Sequence, residues 1–153
     1  MPLEDIEQNF PGLKAGEWSI TSDEDDDYNC IAYAVHDLRQ FWDPSLVGVR
    51  GYYWPPGVSR DDSLNGWIRA LEMNSYKVCG NGELEPGVEK IAIYVDDSGI
   101  PQHVARQLPD GAWTSKLGKG EDIRHASLES LAGDLYGKVT GFMMRKPPKM
   151  ENS

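Results

Sequence analysis

A cysteine ahead of an apolar helical run and a histidine early in a later strand are the residues of this chain best suited by type and order to act together. Cys30 lies in Tyr28-Asn29-Cys30-Ile31-Ala32-Tyr33-Ala34. Polar residues 23–27 precede it, and Ile31, Ala34, Val35 and Leu38 follow at the spacing of one buried helix face. Asp27 or Asn29 caps that helix. With either cap Cys30 falls among the first free backbone N–H groups, where the helix dipole favours a thiolate. The competing reading is a small buried hydrophobe, the commonest use of a free cysteine. The acidic residues 23–27 stabilise a helix start by about 0.3–1 kcal/mol per well-placed charge, yet repel a neighbouring thiolate. They lack the loop glycine and distal glutamate of a calcium-binding EF-hand.

His103 follows Pro101-Gln102 at the start of a strand. A helix-start cysteine with a strand histidine is the layout of a thiol–imidazole pair, in which His103 takes the thiol proton and later returns it to the leaving group. The competing reading is a solvated surface histidine. A third polar group usually orients the imidazole, and Asp122 and Ser115 are the candidates. Asp122 has an alternative use as a helix cap, and Ser115 as an ordinary strand residue. Asn29 is either the helix cap or an oxyanion donor beside the Cys30 N–H. Arg106 and Lys116 are candidates to hold an anionic substrate group. Trp54 and Trp113, with Trp42 and Tyr53, either line a binding surface or cap a small core. Cys79, before Gly80, reads as structural, and the cysteines and histidines show none of the short paired spacings of a zinc site.

The elements that must position these groups follow from apolar periodicity. Residues 1–27 form an irregular lead-in with turns at Pro11-Gly12 and Ala15-Gly16. A helix spans about 28–38, and a second about 61–74, with Leu64, Trp67, Ile68 and Leu71 on one face. Residues 59–62 resemble a capping box with Asp for Glu. Prolines 44, 55 and 56 break the aromatic stretch between the helices. Strands follow at 89–95, 101–108 and 112–117, the last two joined by the hairpin signal Asp110-Gly111. A two-residue turn would pair Gln107 with Thr114 and Ala105 with Lys116; a one-residue bulge would put Trp113 and Ser115 on the face of His103 instead. A short helix near 121–131, a strand at 138–144 and a frayed tail at 146–153 complete the chain. Helices first and an antiparallel meander after define an α+β domain over 28–145.

One compact domain suits 153 residues, and a hydrophobic content of 39% with five tryptophans is enough for a core. A net charge of −10 argues against nucleic acid or an anionic membrane as partner. No apolar run spans a bilayer, residues 1–9 do not read as a signal peptide, and two cysteines suit a reducing cytoplasm.

Phe10-Pro11-Gly12-Leu13, YNCIAYA at 28–34, YWPPGV at 53–58, LEPGVEKIAIY at 84–94 and QHVARQLPDGAWTSKLG at 102–118 resemble a family of uncharacterised bacterial proteins. The likeness covers roughly 10–145 and brings no activity with it. A looser resemblance is to the papain-like cysteine hydrolases, which set a cysteine at a helix start and a histidine on an antiparallel strand. It implies N-terminal helices packed on an antiparallel meander, with Cys30 as nucleophile and His103 as base. Thr21, Ser22 and Glu24 stand where that superfamily carries its oxyanion glutamine. The expected function is hydrolysis or acyl transfer at an amide, ester or thioester of a small-molecule or peptide substrate, without metal or organic cofactor. The alternative is a non-catalytic module for a protein partner, such as one half of a toxin–antitoxin pair.

Overall fold

A computed structural model of the protein describes residues 3–147. Most of the expected tail, 148–153, lies outside the described residues. The architecture is α+β: a seven-stranded sheet in the order β1-β8-β7-β6-β5-β9-β4, every neighbour antiparallel, with three short α-helices. The strands are β1 Trp18–Ser22, β4 Lys77–Cys79, β5 Glu89–Val95, β6 Pro101–Gln107, β7 Trp113–Lys116, β8 Asp122–His125 and β9 Lys138–Arg145. Two-residue strands β2 (Phe41–Trp42) and β3 (Tyr52–Tyr53) pair separately and in parallel.

The β5 sequence is apolar on both faces because both faces are covered. Ile91, Ile93 and Val95 face α2 (Cys30–Ala34) and α3 (Leu64–Glu72), together with Trp42, Trp54 and Trp67. Ala92 and Tyr94 face the opposite way, onto Ile6, Phe10, Leu13, Ile123 and Leu131. The lead-in is therefore structured: it supplies α1 (Leu3–Asn9), a 3₁₀ turn and edge strand β1, and covers the second face of the sheet.

Three other expectations need correction. The helix expected over 28–38 is five residues long, Cys30–Ala34. His36 ends it at φ +67°, with the N–H of Asp37 donating to the Ala32 carbonyl and that of His36 to the Tyr33 carbonyl. This is a Schellman close with histidine at the position glycine normally fills. The second helix starts later than expected, capped by Ser63, whose Oγ accepts the Gly66 N–H at 3.0 Å. The segment near 121–131 is β8 followed by a 3₁₀ turn rather than a helix. The hairpin takes the bulged register, Gln107 opposite Trp113 and Arg106 opposite Thr114, with Gly111 at φ +92°.

Candidate active site

The start of α2 is fixed by Asn29. Its Oδ1 accepts the N–H groups of Ala32 and Trp42 at 3.2 and 3.1 Å, and its Nδ2 donates to the Trp42 carbonyl at 2.7 Å. The Asn29 side chain thus caps the helix and ties it to β2. Cys30 follows as the first helical residue, with 8% of its surface exposed. The ladder between β6 and β7 pairs only at Arg106 and Gln107, so the sheet is split along the first half of β6. The backbone N–H of Val104 lies near enough to the Cys30 thiol to favour its charged form. Burial is the largest influence on the thiol and raises it to about 11, against the lowering pull of the Val104, Ile31 and Cys30 N–H groups. The helix start does not deliver a thiolate in this arrangement, because desolvation outweighs the N–H groups.

Cys30 lines a cavity of about 320 Å³ with Asn29, Trp42, Trp67, Gln102 and Tyr136. Tyr136 is held there by a tight loop closed through reciprocal Gly133–Gly137 backbone hydrogen bonds at 2.9 and 2.8 Å. Its ring also lies flat on the His103 imidazole, 4.3 Å between centroids and 3° from parallel. His103 is opposite Tyr94 in the ladder and packs beside it, while its neighbour Val104 packs with α2. The imidazole is 1% exposed, and neither ring nitrogen has a hydrogen-bond partner. Burial first, and nearby His125 second, push its pKa well below 6.5. Cys30 and His103 therefore both reach the neighbourhood of Tyr136 but share no hydrogen bond.

The two expected orienters are engaged elsewhere. Ser115 bonds His125 Nε2 at 2.8 Å, and His125 Nδ1 lies 2.9 Å from the Ser127 carbonyl. A carbonyl only accepts, so Nδ1 carries the proton and Ser115 Oγ donates to Nε2. Both residues are fully buried, and burial lowers His125 to about 4. Asp122 Oδ2 accepts from the Ser22 and Tyr28 hydroxyls, each at 2.7 Å. Lys116 is buried as well: its ammonium donates to the Gly120 carbonyl and lies 4.9 Å from the Tyr28 ring centroid. Trp42, Trp54 and Trp113 are 4, 3 and 5% exposed, and Trp54 Nε1 donates to the Ser59 carbonyl. These tryptophans are core residues, and of them Trp42 also lines the Cys30 cavity.

A charged cluster that sequence reasoning missed sits at the other end of β5. Glu89 Oε1 accepts from Tyr76 at 2.7 Å and twice from Arg145 at 3.1 Å, and Oε2 meets His36 Nε2 at 2.8 Å. Burial alone would raise the Glu89 pKa; the hydrogen bonds of His36 and Tyr76 and the charges of His36 and Arg145 overcome it and hold the carboxyl at about 2. The sequence carried one signal, a glutamate opening a strand that is apolar from Ile91 to Val95.

Fold and site together define an α+β domain in which a cysteine-bearing helix start meets the split of an antiparallel sheet. Residues 19–144 match the family described as domain of unknown function DUF7689, and the chain belongs to it. No curated protein and no solved structure matches the chain. Among the described residues no helix is long and apolar enough to cross a membrane.

Proposed function

We propose that the chain is a thiol-dependent hydrolase or acyltransferase of papain-like layout, with Cys30 as nucleophile and His103 as base. The observation that carries this reading is the sealed His103 imidazole with both nitrogens unbonded, stacked on the same Tyr136 that lines the Cys30 cavity. An unsatisfied buried polar group costs about 1–3 kcal/mol, and nothing in the packing around His103 explains keeping one. His103 packs with Tyr94 on the face of the sheet opposite α2, so imidazole and thiol would have to meet through the split between β6 and β7, on displacement of the Tyr136 ring.

Both groups are neutral near pH 7, since the thiol is raised and the imidazole lowered. The chemistry is then general-base catalysis rather than attack by a preformed thiolate. The sulfur bonds to the carbonyl carbon of an amide, ester or thioester as its proton passes to His103. The tetrahedral oxyanion collapses, the C–N, C–O or C–S bond breaks, and the imidazolium protonates the leaving group. Water or an acceptor nucleophile then releases the acyl group from sulfur, restoring the thiol.

The test is acylation by p-nitrophenyl acetate, read by intact and peptide mass spectrometry. Acetyl transfer to Cys30 is expected in the folded protein. It should be lost in Cys30→Ser, slowed at least tenfold in His103→Phe, and accelerated in Tyr136→Ala. Absence of a Cys30 adduct in both the natural protein and Tyr136→Ala, while Cys79 reacts, would refute the proposal. A second reading, a binding module on the same scaffold, is favoured by the larger cleft beside Glu89, of about 650 Å³.

A further inference from the structure

The larger cleft lies at the end of the sheet remote from the β6 start, between the segment 84–89, the end of β6 and His36. Its volume of about 650 Å³ falls within the range of pockets that enclose a small organic molecule. Leu84, Pro86, Val88, Leu108 and Pro109 give it apolar walls, and His36, Glu89 and Arg106 supply its charged groups.

The charges there are unevenly satisfied. The carboxylate of Glu89 is saturated: Arg145 is its ion-pair partner at 3.1 Å, and His36 and Tyr76 complete its hydrogen bonds. Arg106 has no such partner. Its guanidinium carbon stands 4.8 Å from the Tyr33 ring centroid, its buried Nε bonds to nothing, and among the described residues it forms no salt bridge. Adjacent Gln107, 6% exposed, donates from Nε2 to the Gly82 carbonyl at 2.8 Å and leaves its buried Oε1 unpartnered. In a chain with 25 acidic residues against 15 lysines and arginines, a guanidinium without a carboxylate inside an apolar cleft is a distinctive surplus of positive charge.

The local backbone supports the same site. His36 occupies the left-handed region, φ +67°, at a helix end where glycine is the unstrained choice. Such strain persists where surrounding contacts over-determine it, and it gathers at functional positions. Here the contact is the 2.8 Å bond to Glu89. Holding His36 on Glu89 keeps that carboxylate occupied and away from Arg106.

We propose that this cleft is a binding site for a small carboxylate with an apolar body, its carboxylate paired with Arg106 and its body against the Leu84–Pro86–Pro109 walls. A planar guanidinium supplies paired N–H donors matched to a carboxylate, and a dry apolar surround strengthens the pairing. The site shares no residue with the Cys30 cavity and does not depend on the thiol reading.

The probe is 4-phenylbutyrate, with 4-phenylbutylamine as the isosteric cation. Titration followed by ¹⁵N-resolved backbone shifts should show saturable changes over 84–89 and 106–109 for the carboxylate and none for the amine. Arg106→Met should weaken 4-phenylbutyrate at least tenfold, Arg106→Lys less, and Cys30→Ser not at all. Should Arg106→Met fail to fold, the Lys variant and the carboxylate-against-amine contrast in the natural protein decide the matter. No saturation by the carboxylate at millimolar concentration, equal binding of the amine, or shifts mapping elsewhere would overturn the proposal.

Discussion

Two buried neutral histidines should make this protein acid-labile in a pH window where few carboxylates titrate. His125 falls from an ordinary 6.5 to about 4 in the folded state, and His103 is lowered in the same direction. Because the folded values lie below the unfolded ones, stability is whole above pH 6.5 and is lost as the pH falls, the unfolded chain taking up protons that the folded one refuses. For His125, with 6.5 unfolded and about 4 folded, the loss between pH 7 and pH 4.5 comes to about 2.5 kcal/mol. His103 adds to it. Near pH 5 His125 contributes almost one proton, so its part of the slope of unfolding free energy against pH approaches roughly 1.4 kcal/mol per pH unit, and His103 steepens it in the same direction. The assay is urea unfolding followed by tryptophan fluorescence at half-unit steps from pH 7.5 to 4.5. His103→Phe keeps an aromatic ring against Tyr136 and removes one titrating group, so its slope should be shallower. The same variant discards an unsatisfied buried polar ring, and it should match or exceed the natural protein in stability at pH 7, by up to about 1–3 kcal/mol. A flat profile between pH 7 and 5, or a His103→Phe slope equal to the natural one, would refute the reasoning.

Two substitutions probe the parts that hold the candidate site. Asn29→Ala removes the cap of α2 and both hydrogen bonds to Trp42. It should cost about 2–3 kcal/mol in urea unfolding, more than the ~1 kcal/mol of a simple cap, because buried backbone groups of Trp42 are left unpaired. Gly137→Ala would put a methyl group into the Val95 carbonyl at φ +76°, whereas Gly99→Ala at φ +82° meets open space. The first should be destabilised by several kcal/mol and the second by about 1, compared by thermal unfolding; equal effects would show that the Tyr136 loop is not pinned against β5.

The meander was legible from β5 to β7, which follow one another in the chain and carry strong strand signals: β-branched residues in 89–95 and the Asp110-Gly111 turn. Edge strand β1 was harder to read. Ser19, Ile20 and Thr21 of β1 are exposed, so the strand shows little of the alternation that marks one buried face. Helix α2 was over-extended because Val35 and Leu38 continue the apolar spacing. The chain in fact turns at His36, whose left-handed conformation is enforced by Glu89, a residue 53 positions away. The hairpin's two registers differed by one residue, and the φ of Gly111 settled the bulged one, which no spacing rule discriminates.

The site was legible as residue types and not as partners, for a reason visible at Cys30. Helix position predicts a lowered thiol pKa only when the thiol stays wet, and α2 presents merely five residues of aligned peptides before it closes. The sheet split that receives the sulfur depends on where β6 and β7 part company, a consequence of the bulge and of the Gly133–Gly137 loop that wedges Tyr136 beside it. Desolvation then dominates, and both the thiol and His103 are driven to their neutral forms by the same burial. Two buried, neutral groups differ in kind from an exposed ion pair: under the proposed chemistry their meeting depends on what moves Tyr136, which stacks on His103 and lines the Cys30 cavity. The Ser115–His125 contact makes the converse point, since it has the hydrogen-bond geometry of an activated hydroxyl while both residues are fully buried. Geometry nominates a reactive pair only when access comes with it: Cys30 and Tyr136 line a cavity, and His103 is tied to it through its stack on Tyr136.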